Sequence, residues 1–150
     1  MEDPEVSIRL MRADDFDAVL RIDGKVLKNP RKEYYELRFD KLFQTRDFLP
    51  ASLVAETPDG TVVGFIMGEL YIGQYGISGE GAMLDTIGVD PDYQHMGIGQ
   101  RLINEFVDHL RSLGVQKITT LTNWNNSQMI RFFSANEFSP SKVVNLERDI

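Results

Sequence analysis

The chain has 150 residues and a formal net charge of −7, with two histidines and no cysteine. The lack of cysteine excludes disulfides, a thiol nucleophile and thiolate metal sites, and two histidines are too few for a histidine-rich metal site. No metal is therefore expected, and the negative charge argues against general nucleic-acid binding, which needs clustered basic residues.

The length predicts one domain, spanning residues 1–150. The N-terminal sequence MEDPEVSIRL is acidic and has no apolar signal core. No segment approaches the roughly 20 apolar residues of a membrane span. We therefore expect a soluble, cytoplasmic protein without a membrane partner.

The first half of the chain predicts one strand, two helices and a β-hairpin. VSIRLM alternates like an edge strand, and the helical stretches carry apolar residues at near-helical spacing. Asn29-Pro30 separates the two helices, and Pro58-Asp59-Gly60 has the residues of a tight turn. In chain order these elements are a strand over 6–11, helices from about Asp14 to Leu27 and from Lys32 to Phe43, and a hairpin over 52–72.

The second half of the chain alternates strands with helices. From Ile98 to Leu113 apolar residues recur every three or four positions, and Gly114 stands where a helix C′ glycine is expected. An α/β domain with a mixed sheet follows from the order of elements. The predicted elements are strands over 82–89, 115–122 and 138–148, a long helix from Ile98, a short helix over 126–136, and a flexible connection marked by Gly73, Gly76, Gly79 and Gly81.

The stretch VDPDYQHMGIGQRLI (89–103) places two glycines between a predicted strand and a predicted helix. The first turn of a helix has N–H groups without intrahelical partners, and the helix dipole adds partial positive charge there. Gly97 and Gly99 lack the Cβ atoms that would keep an anion away from these amides. A phosphate site is one interpretation of the pattern, and a tight turn with close helix–sheet packing is the other.

Two common phosphate-binding patterns do not fit this stretch. The Rossmann fingerprint lacks its third glycine, since Leu102 stands in that place, and no Gly-Lys-Ser/Thr closes a Walker A loop. A third pattern does fit. Residues 94–99, QHMGIG, match Q/R-x-x-G-x-G/A, and the stretch therefore resembles the acetyl-CoA pyrophosphate loop of the GNAT N-acetyltransferases.

The resemblance to this family extends on both sides of the loop. LDTIGVDPDY (84–93) is similar to the strand and turn that precede the loop in the family, and NNSQMIRFFSANEF (125–138) is similar to a later family element. Together the matches cover about residues 82–138, and the N-terminal helices and hairpin follow the family order. The resemblance implies a GNAT-like mixed, mostly antiparallel central sheet flanked by helices.

The resemblance also implies that acetyl-CoA is the co-substrate and that an amine attacks its thioester directly. The pantetheine arm would pair with the main chain of Ile87, Gly88 and Val89, with the Ile87 amide directed at the thioester carbonyl. Gly88 has a second interpretation, as a small residue in a packed strand. The residues implied to bind the phosphates are Gln94, His95, Met96, Gly97, Ile98, Gly99 and Gln100.

The proton acceptor of such a reaction has several candidates. Asp85 lies two residues before Ile87, so strand alternation predicts that both side chains point to the same face of the sheet. Family members often carry a carboxylate on this strand, which makes Asp85 the candidate base. Asp85 can equally bind a substrate ammonium or a structural hydroxyl, and Glu69, Glu80 and water compete for the role.

The leaving-group side departs from the family pattern. By position Asn126 and Phe133 lie at the cofactor, but Phe133 stands where the family usually has a tyrosine general acid, and phenylalanine has no proton to donate. Three explanations remain open. The thiolate leaves unprotonated, since a thiol pKa near 8.5 makes it a tolerable leaving group; Tyr93 or Tyr75 donates the proton; or the protein binds acyl-CoA without fast transfer.

The acceptor site of the family is built from segments that correspond here to residues 23–48 and 71–81. The expected function is acetyl transfer to a primary amine of a protein N-terminus, a lysine or a small molecule. The alternatives are a non-catalytic acyl-CoA sensor or interaction module, and a generic phosphate-binding domain; homodimers are common in such folds and stay open. The candidate acceptor-site residues, which can instead cover the core, are Tyr34, Tyr35, Glu36, Tyr71, Tyr75 and Glu80.

Overall fold

The computed structural model of the chain describes residues 5–27, 31–44, 51–72 and 80–150. Its regular elements follow the predicted order through the last helix. In chain order they are β1 (Ser7–Leu10), α1 (Phe16–Leu27), α2 (Lys32–Gln44), β2 (Leu53–Glu56), β3 (Val62–Ile72), β4 (Glu80–Val89), α3 (Ile98–Ser112), β5 (Lys117–Thr120) and α4 (Ser127–Ala135).

The described strands form one five-stranded sheet in the order β1-β2-β3-β4-β5. The first three pairings are antiparallel, and β4 pairs with β5 in parallel. This is the mixed, mostly antiparallel sheet that the resemblance implied. The hairpin between β2 and β3 turns at Gly60, whose φ of 87° is a conformation that glycine adopts without strain.

The helices cover both faces of the sheet. Apolar side chains of α1 and α2 pack on one face, and those of α3 and α4 pack on the other. The α3 stripe that the sequence predicted is buried, and Gly114 ends the helix with a φ of 86°. The central α3-side residues are Leu84, Ile98, Leu102 and Phe106, and the central α2-side residues are Val19, Ile22, Tyr35 and Phe65.

A β-bulge interrupts β4 at Asp85. Met67 of β3 pairs with Thr86, but the next residue, Gly68, pairs with Leu84, so Asp85 is an extra residue in β4. The pairing of β4 with β5 ends at the same level, with Leu84 opposite Thr120. The sheet therefore opens between β4 and β5 immediately after the bulge.

The structure corrects two predictions about the ends of elements. The strand predicted over 138–148 is wrong, because this segment forms no strand and Val144 and Leu146 are 81% and 87% exposed, so its apolar alternation has no face to bury. Gly81 lies inside β4, opposite Tyr71 of β3, because the β3–β4 ladder extends further than the local pattern indicated. Gly73, Gly76 and Gly79 lie outside the described residues.

Candidate functional site

The loop between β4 and α3 is anchored by Asp90. Its side chain is nearly buried, accepts a hydrogen bond from the Asp92 amide (3.0 Å) and forms an ion pair with Lys25 Nζ of α1 (3.1 Å). The Asp90 amide donates to the Val63 carbonyl of β3 (2.8 Å). These contacts fix where the loop leaves the sheet and direct it through a 3₁₀ turn at 91–93 toward α3.

The predicted phosphate loop ends on the N-terminus of α3. Gly97 immediately precedes the helix with a left-handed φ of 80°, and the Arg101 amide donates to the Gly97 carbonyl (3.0 Å). The amides of Ile98, Gly99 and Gln100 precede this hydrogen bond, in the part of a helix where N–H groups lack intrahelical partners. Together with the helix dipole they make an end of the helix that attracts anions.

The side chains of this loop divide between solvent and core. Gln94 and His95 are exposed, Met96 is half-buried and Ile98 is buried against the sheet. His95 has a positive φ of 63°, so the chain turns there as well as at Gly97. The loop thus offers main-chain groups at the start of α3, and the first basic side chain of the helix is that of the exposed Arg101, its fourth residue.

Glycine stands at the two loop positions for different structural reasons. Gly97 is favoured by its positive φ. A Cβ on Gly99 would lie 3.7 Å from Val89 Cγ2 and 3.9 Å from the Phe132 ring, which are ordinary van der Waals distances. Close packing therefore does not require Gly99, whereas the approach of a ligand to the helix N-terminus would.

The open edge of β4 presents main-chain groups beside this loop. In an antiparallel pair, successive residues alternate between bonding the partner strand and pointing away from it. Since the Asp90 amide bonds β3, the main-chain groups of Ile87 and Val89 point away from β3, toward the opening. Gln94 Nε2 reaches this edge and donates to the Val89 carbonyl (3.2 Å).

A cavity of about 480 Å³ lies in the opening between β4 and β5. Four of the predicted site residues line it: Asp85, Ile87, Asn126 and Phe133. Its walls also include polar side chains that the sequence had not singled out, namely Arg31, Thr120, Asn123 and Asn145. The structure therefore brings the strand and α4 parts of the predicted site together around one space.

Asp85 faces α2. Its carboxylate accepts a hydrogen bond from the Tyr34 hydroxyl (2.7 Å) and two from Arg38, through Nε and Nη2. Ile87, in contrast, packs against the core on the α3 side. The prediction that the two side chains share a face is wrong, because the bulge at Asp85 shifts the alternation by one residue.

The charges around Asp85 are paired with one another. Arg38 also contacts Glu69 of β3 (3.3 Å), and Lys41 forms an ion pair with the same carboxylate. Burial and the hydrogen bond to Asp85 raise the pKa of Tyr34 above its usual value. Burial lowers the pKa of Arg38, but the bonds to Asp85 outweigh it and the pKa lies above its usual range. Tyr34 therefore keeps its proton and Arg38 its charge at neutral pH.

Three predicted cofactor residues also have structural roles. Asn126 caps α4, since its side chain accepts a hydrogen bond from the Met129 amide (3.2 Å). Phe133 is 6% exposed and packs against the ring of Phe138. A Cβ on Gly88 would lie 2.8 Å from the Phe65 ring, so packing alone is sufficient reason for this glycine.

The candidate acceptor residues separate in the structure. Tyr34 contacts Asp85, whereas Tyr35 is fully buried and donates its hydroxyl hydrogen bond to Asp23 (2.8 Å). Glu36 is exposed and lies 3.8 Å from Lys32. The side chains of Tyr71 and Glu80, and all of Tyr75, lie outside the described residues; Tyr93, a candidate proton donor, packs against the α3-side core.

Sequence reasoning missed Arg38, which binds the candidate carboxylate directly. The spacing of Tyr34 and Arg38 places both on one side of α2, which is the only local signal for the pair. Their common partner lies 47 and 51 residues further along the chain. No local pattern in the sequence connects positions so far apart.

Within the described ranges, no three His, Asp or Glu side chains gather as a metal site. The helices of the described ranges are too short or too polar to cross a membrane.

Comparison with known proteins gives a consistent result. Residues 16–138 match the sequence model of the Acetyltransferase (GNAT) family. The chain is 31% identical over 140 residues to the acetyltransferase SG1711 of Sodalis glossinidius, with 93% of this chain and 91% of that protein covered. It is 33% identical over 93 residues to a mycothiol acetyltransferase of Propionibacterium freudenreichii, covering 61% of this chain but only 29% of that protein.

Solved structures share the fold. The acetyltransferase AAC(6')-Iy, in complex with a bisubstrate analogue of CoA and acetylneamine, superposes with a TM-score of 0.77 at 19% identity. The match covers 97% of this chain and 99% of that one. At this identity the likeness concerns the fold alone.

Proposed function

The chain belongs to the GNAT acetyltransferase family and is an acetyl-CoA-dependent N-acetyltransferase, and from this premise we propose that it transfers acetyl directly to a primary amine in the opening between β4 and β5. Residues 1–150 act as one domain in this proposal. The mycothiol acetyltransferase relative is more than three times as long as the matching region, so its substrate is not carried over.

The loop and the strand edge divide the cofactor between them. The pyrophosphate lies on the N-terminus of α3, where the amides of Ile98, Gly99 and Gln100 donate to its oxygens. The pantetheine arm extends β4 as an added strand, bonding the main-chain groups of Ile87 and Val89 that point into the opening. The chain order supports this division, since the loop follows β4 directly and leads into α3, and Ile87 of β4 also lines the cavity.

The chemical step joins the two substrates within the cavity. The lone pair of the neutral amine attacks the thioester carbonyl carbon, a C–N bond forms, and the C–S bond then breaks to release the CoA thiolate. The Ile87 amide donates to the oxygen that becomes negative, an interaction whose loss typically costs about 2.7–4 kcal/mol. The amine gives up its extra proton to solvent or to a carboxylate, and the product is an N-acetyl amide.

The thiolate leaves without a protein proton donor in this proposal. No tyrosine is among the described residues that line the cavity, and Phe133 lines it at the position where the family usually has a tyrosine. A thiol pKa of about 8.5 makes the thiolate a stable enough product near neutral pH. Holding the two reactants together can itself supply roughly 7–11 kcal/mol of the acceleration.

The acceptor enters from the α2 side. Asp85 lies on that face and also lines the cavity, so its carboxylate can contact the amine at the point where the amine meets the thioester. The attacking nitrogen must be neutral, because only a neutral amine has a free lone pair.

One observation carries this proposal. The sheet opens at the Asp85 bulge, directly beside a helix N-terminus whose Gly99 is not required by packing. A phosphate-binding domain without transfer chemistry has no use for a cavity lined by the strand residues Asp85 and Ile87. The cavity and the loop together favour a two-substrate enzyme.

The test is release of free CoA thiol from acetyl-CoA by the purified protein. The amine panel holds N-terminal peptides, lysine peptides, polyamines, aminoglycosides and amino acids, with Gly97→Glu as the blank. We expect release that depends on one amine class and disappears in the blank. CoA binding without release for any amine class would instead favour a non-catalytic acyl-CoA sensor.

A further inference from the structure

Asp85 is held by three hydrogen bonds from two side chains of α2. Its Oδ2 accepts from the Tyr34 hydroxyl (2.7 Å) and from Arg38 Nε, and its Oδ1 accepts from Arg38 Nη2. The two Arg38 bonds form a planar fork that fixes the plane of the carboxylate. The Asp85 side chain is 13% exposed, and Asp85 is among the residues that line the cavity.

A carboxylate has about four lone-pair positions for hydrogen bonds. Partners among the described residues occupy three of these positions. Two of the three are on Oδ2 and one is on Oδ1. The fourth position therefore lies on Oδ1. Since Asp85 is among the residues that line the cavity, this is the position left for a group that binds there.

We propose that Arg38 is a positioning residue that, together with Tyr34, holds Asp85 so that one lone pair of Oδ1 receives one N–H of the acceptor amine. This inference rests on the proposed function and assigns the carboxylate a task within it. Asp85 orients the amine lone pair toward the thioester, and the amine reaches the site already neutral. The proton lost after attack passes to solvent, because the carboxylate is already bonded by a guanidinium and a phenol.

Glu69 of β3 pairs with both Arg38 and Lys41 of α2. Arg38 Nη1 contacts Glu69 (3.3 Å), so the guanidinium spans two strands and cannot rotate away from Asp85 without breaking both ion pairs. Lys41 contacts Glu69 and not Asp85. Arg38 and Lys41, both on α2, therefore differ in a way that experiment can use.

The test compares steady-state kinetics of Arg38→Gln with those of Lys41→Gln, its matched control on the same helix. Arg38→Gln should lower kcat/KM for the acceptor about tenfold to a hundredfold, the range for losing hydrogen bonds to a charged group. The KM for acetyl-CoA should stay unchanged. Arg38→Lys should recover only part of the loss, because lysine keeps the charge but lacks the fork. Lys41→Gln should match the wild type.

A second variant covers the case in which Arg38→Gln does not fold, since removing the partner of a mostly buried carboxylate is destabilising. Tyr34→Phe keeps the ring and removes one of the three donors, and it should lower acceptor kcat/KM by a smaller factor than Arg38→Gln. Equal acceptor kinetics in Tyr34→Phe, Arg38→Lys and wild type would overturn the inference. A rise in the KM for acetyl-CoA in Arg38→Gln as large as its loss of acceptor kcat/KM would also overturn the inference.

The outcome separates this inference from the proposed function. A wild-type protein that releases no CoA with any amine overturns both. An active wild type whose Arg38 and Tyr34 variants have unchanged acceptor kinetics overturns the inference alone.

Discussion

Asp85 and Ile87 lie two residues apart on β4, and their side chains point to opposite faces of the sheet. Asp85 bonds Tyr34 and Arg38 on the α2 side, whereas Ile87 packs into the core on the α3 side. The bulge thus turns a carboxylate toward α2 and leaves a main-chain amide at the edge of the opening. In the proposed reaction these are the two groups that contact the amine and the thioester.

Gly99→Ala should separate stability from cofactor binding. The added Cβ meets only ordinary contacts in the protein, and alanine favours the helix over glycine by roughly 0.5–1 kcal/mol. We expect the free energy of unfolding to stay equal or rise, while the affinity for acetyl-CoA falls because the methyl group stands over the amides of the loop. Urea unfolding and calorimetric titration measure the two effects, and unchanged affinity would speak against phosphate binding at Gly99.

Gly88→Ala should destabilise the fold through Phe65. The new Cβ would lie 2.8 Å from the ring. Overpacking of this kind typically costs about 1–3 kcal/mol, and we expect the free energy of unfolding to fall by that amount. In a Phe65→Leu background the same substitution should cost less, since the clashing ring atoms are gone. Urea unfolding of the four proteins gives the coupling free energy. A penalty that is equal in both backgrounds would show that the clash is not the cause.

Phe133→Tyr should leave kcat within about threefold of the wild type, because a thiol pKa near 8.5 lets the thiolate leave unaided. The control is Phe132→Tyr, which adds the same hydroxyl at the neighbouring position of α4. Steady-state rates at saturating acetyl-CoA and acceptor measure the effect. A rise of tenfold or more in Phe133→Tyr alone would mean that protonation of the leaving thiolate limits the natural enzyme.

The raised pKa of Tyr34 predicts how stability changes at alkaline pH. Burial and the bond to Asp85 favour the neutral phenol in the folded state, so the folded pKa exceeds the unfolded value of about 10. The resulting stabilisation is complete below that unfolded pKa and is lost as pH rises through the folded one.

Tyr34→Phe should therefore flatten the fall in unfolding free energy above about pH 10. Tyr35, whose pKa is also raised by burial and by Asp23, contributes to the slope that remains. Urea unfolding at a series of pH values from neutral to alkaline measures both proteins. Parallel curves for wild type and Tyr34→Phe would contradict this assignment.

Local sequence patterns predicted most of the fold. The apolar stripe of α3 and the turn at Gly60 depend on residues close together in the chain, and the structure has both. The helix bounds of α1 and α2 agree to within a few residues for the same reason. The strand prediction for residues 138–148 was wrong because a strand needs a neighbouring strand to pair with, and the alternation of apolar residues does not provide one.

The sequence predicted the parts of the site that depend on neighbouring residues in the chain. It did not predict the parts that depend on how distant strands and helices pack together. The glycines of the loop predicted a helix N-terminus, and α3 begins there, directly after Gly97. The bulge at Asp85 depends on how β3 and β4 align, and Arg38 depends on how α2 lies over the sheet. Neither relationship leaves a local pattern in the sequence, so the orientation of Asp85 was predicted wrongly and Arg38 was missed.

The central claim is that acetyl-CoA lies along the β4 edge with its phosphates on α3, and amide hydrogen exchange measured by NMR tests it most directly. With saturating CoA, we predict slower exchange at the amides of Ile87, Val89, Ile98, Gly99 and Gln100, and no such change in Gly97→Glu. Unchanged exchange at these five amides, with protection elsewhere in the chain, would contradict the account.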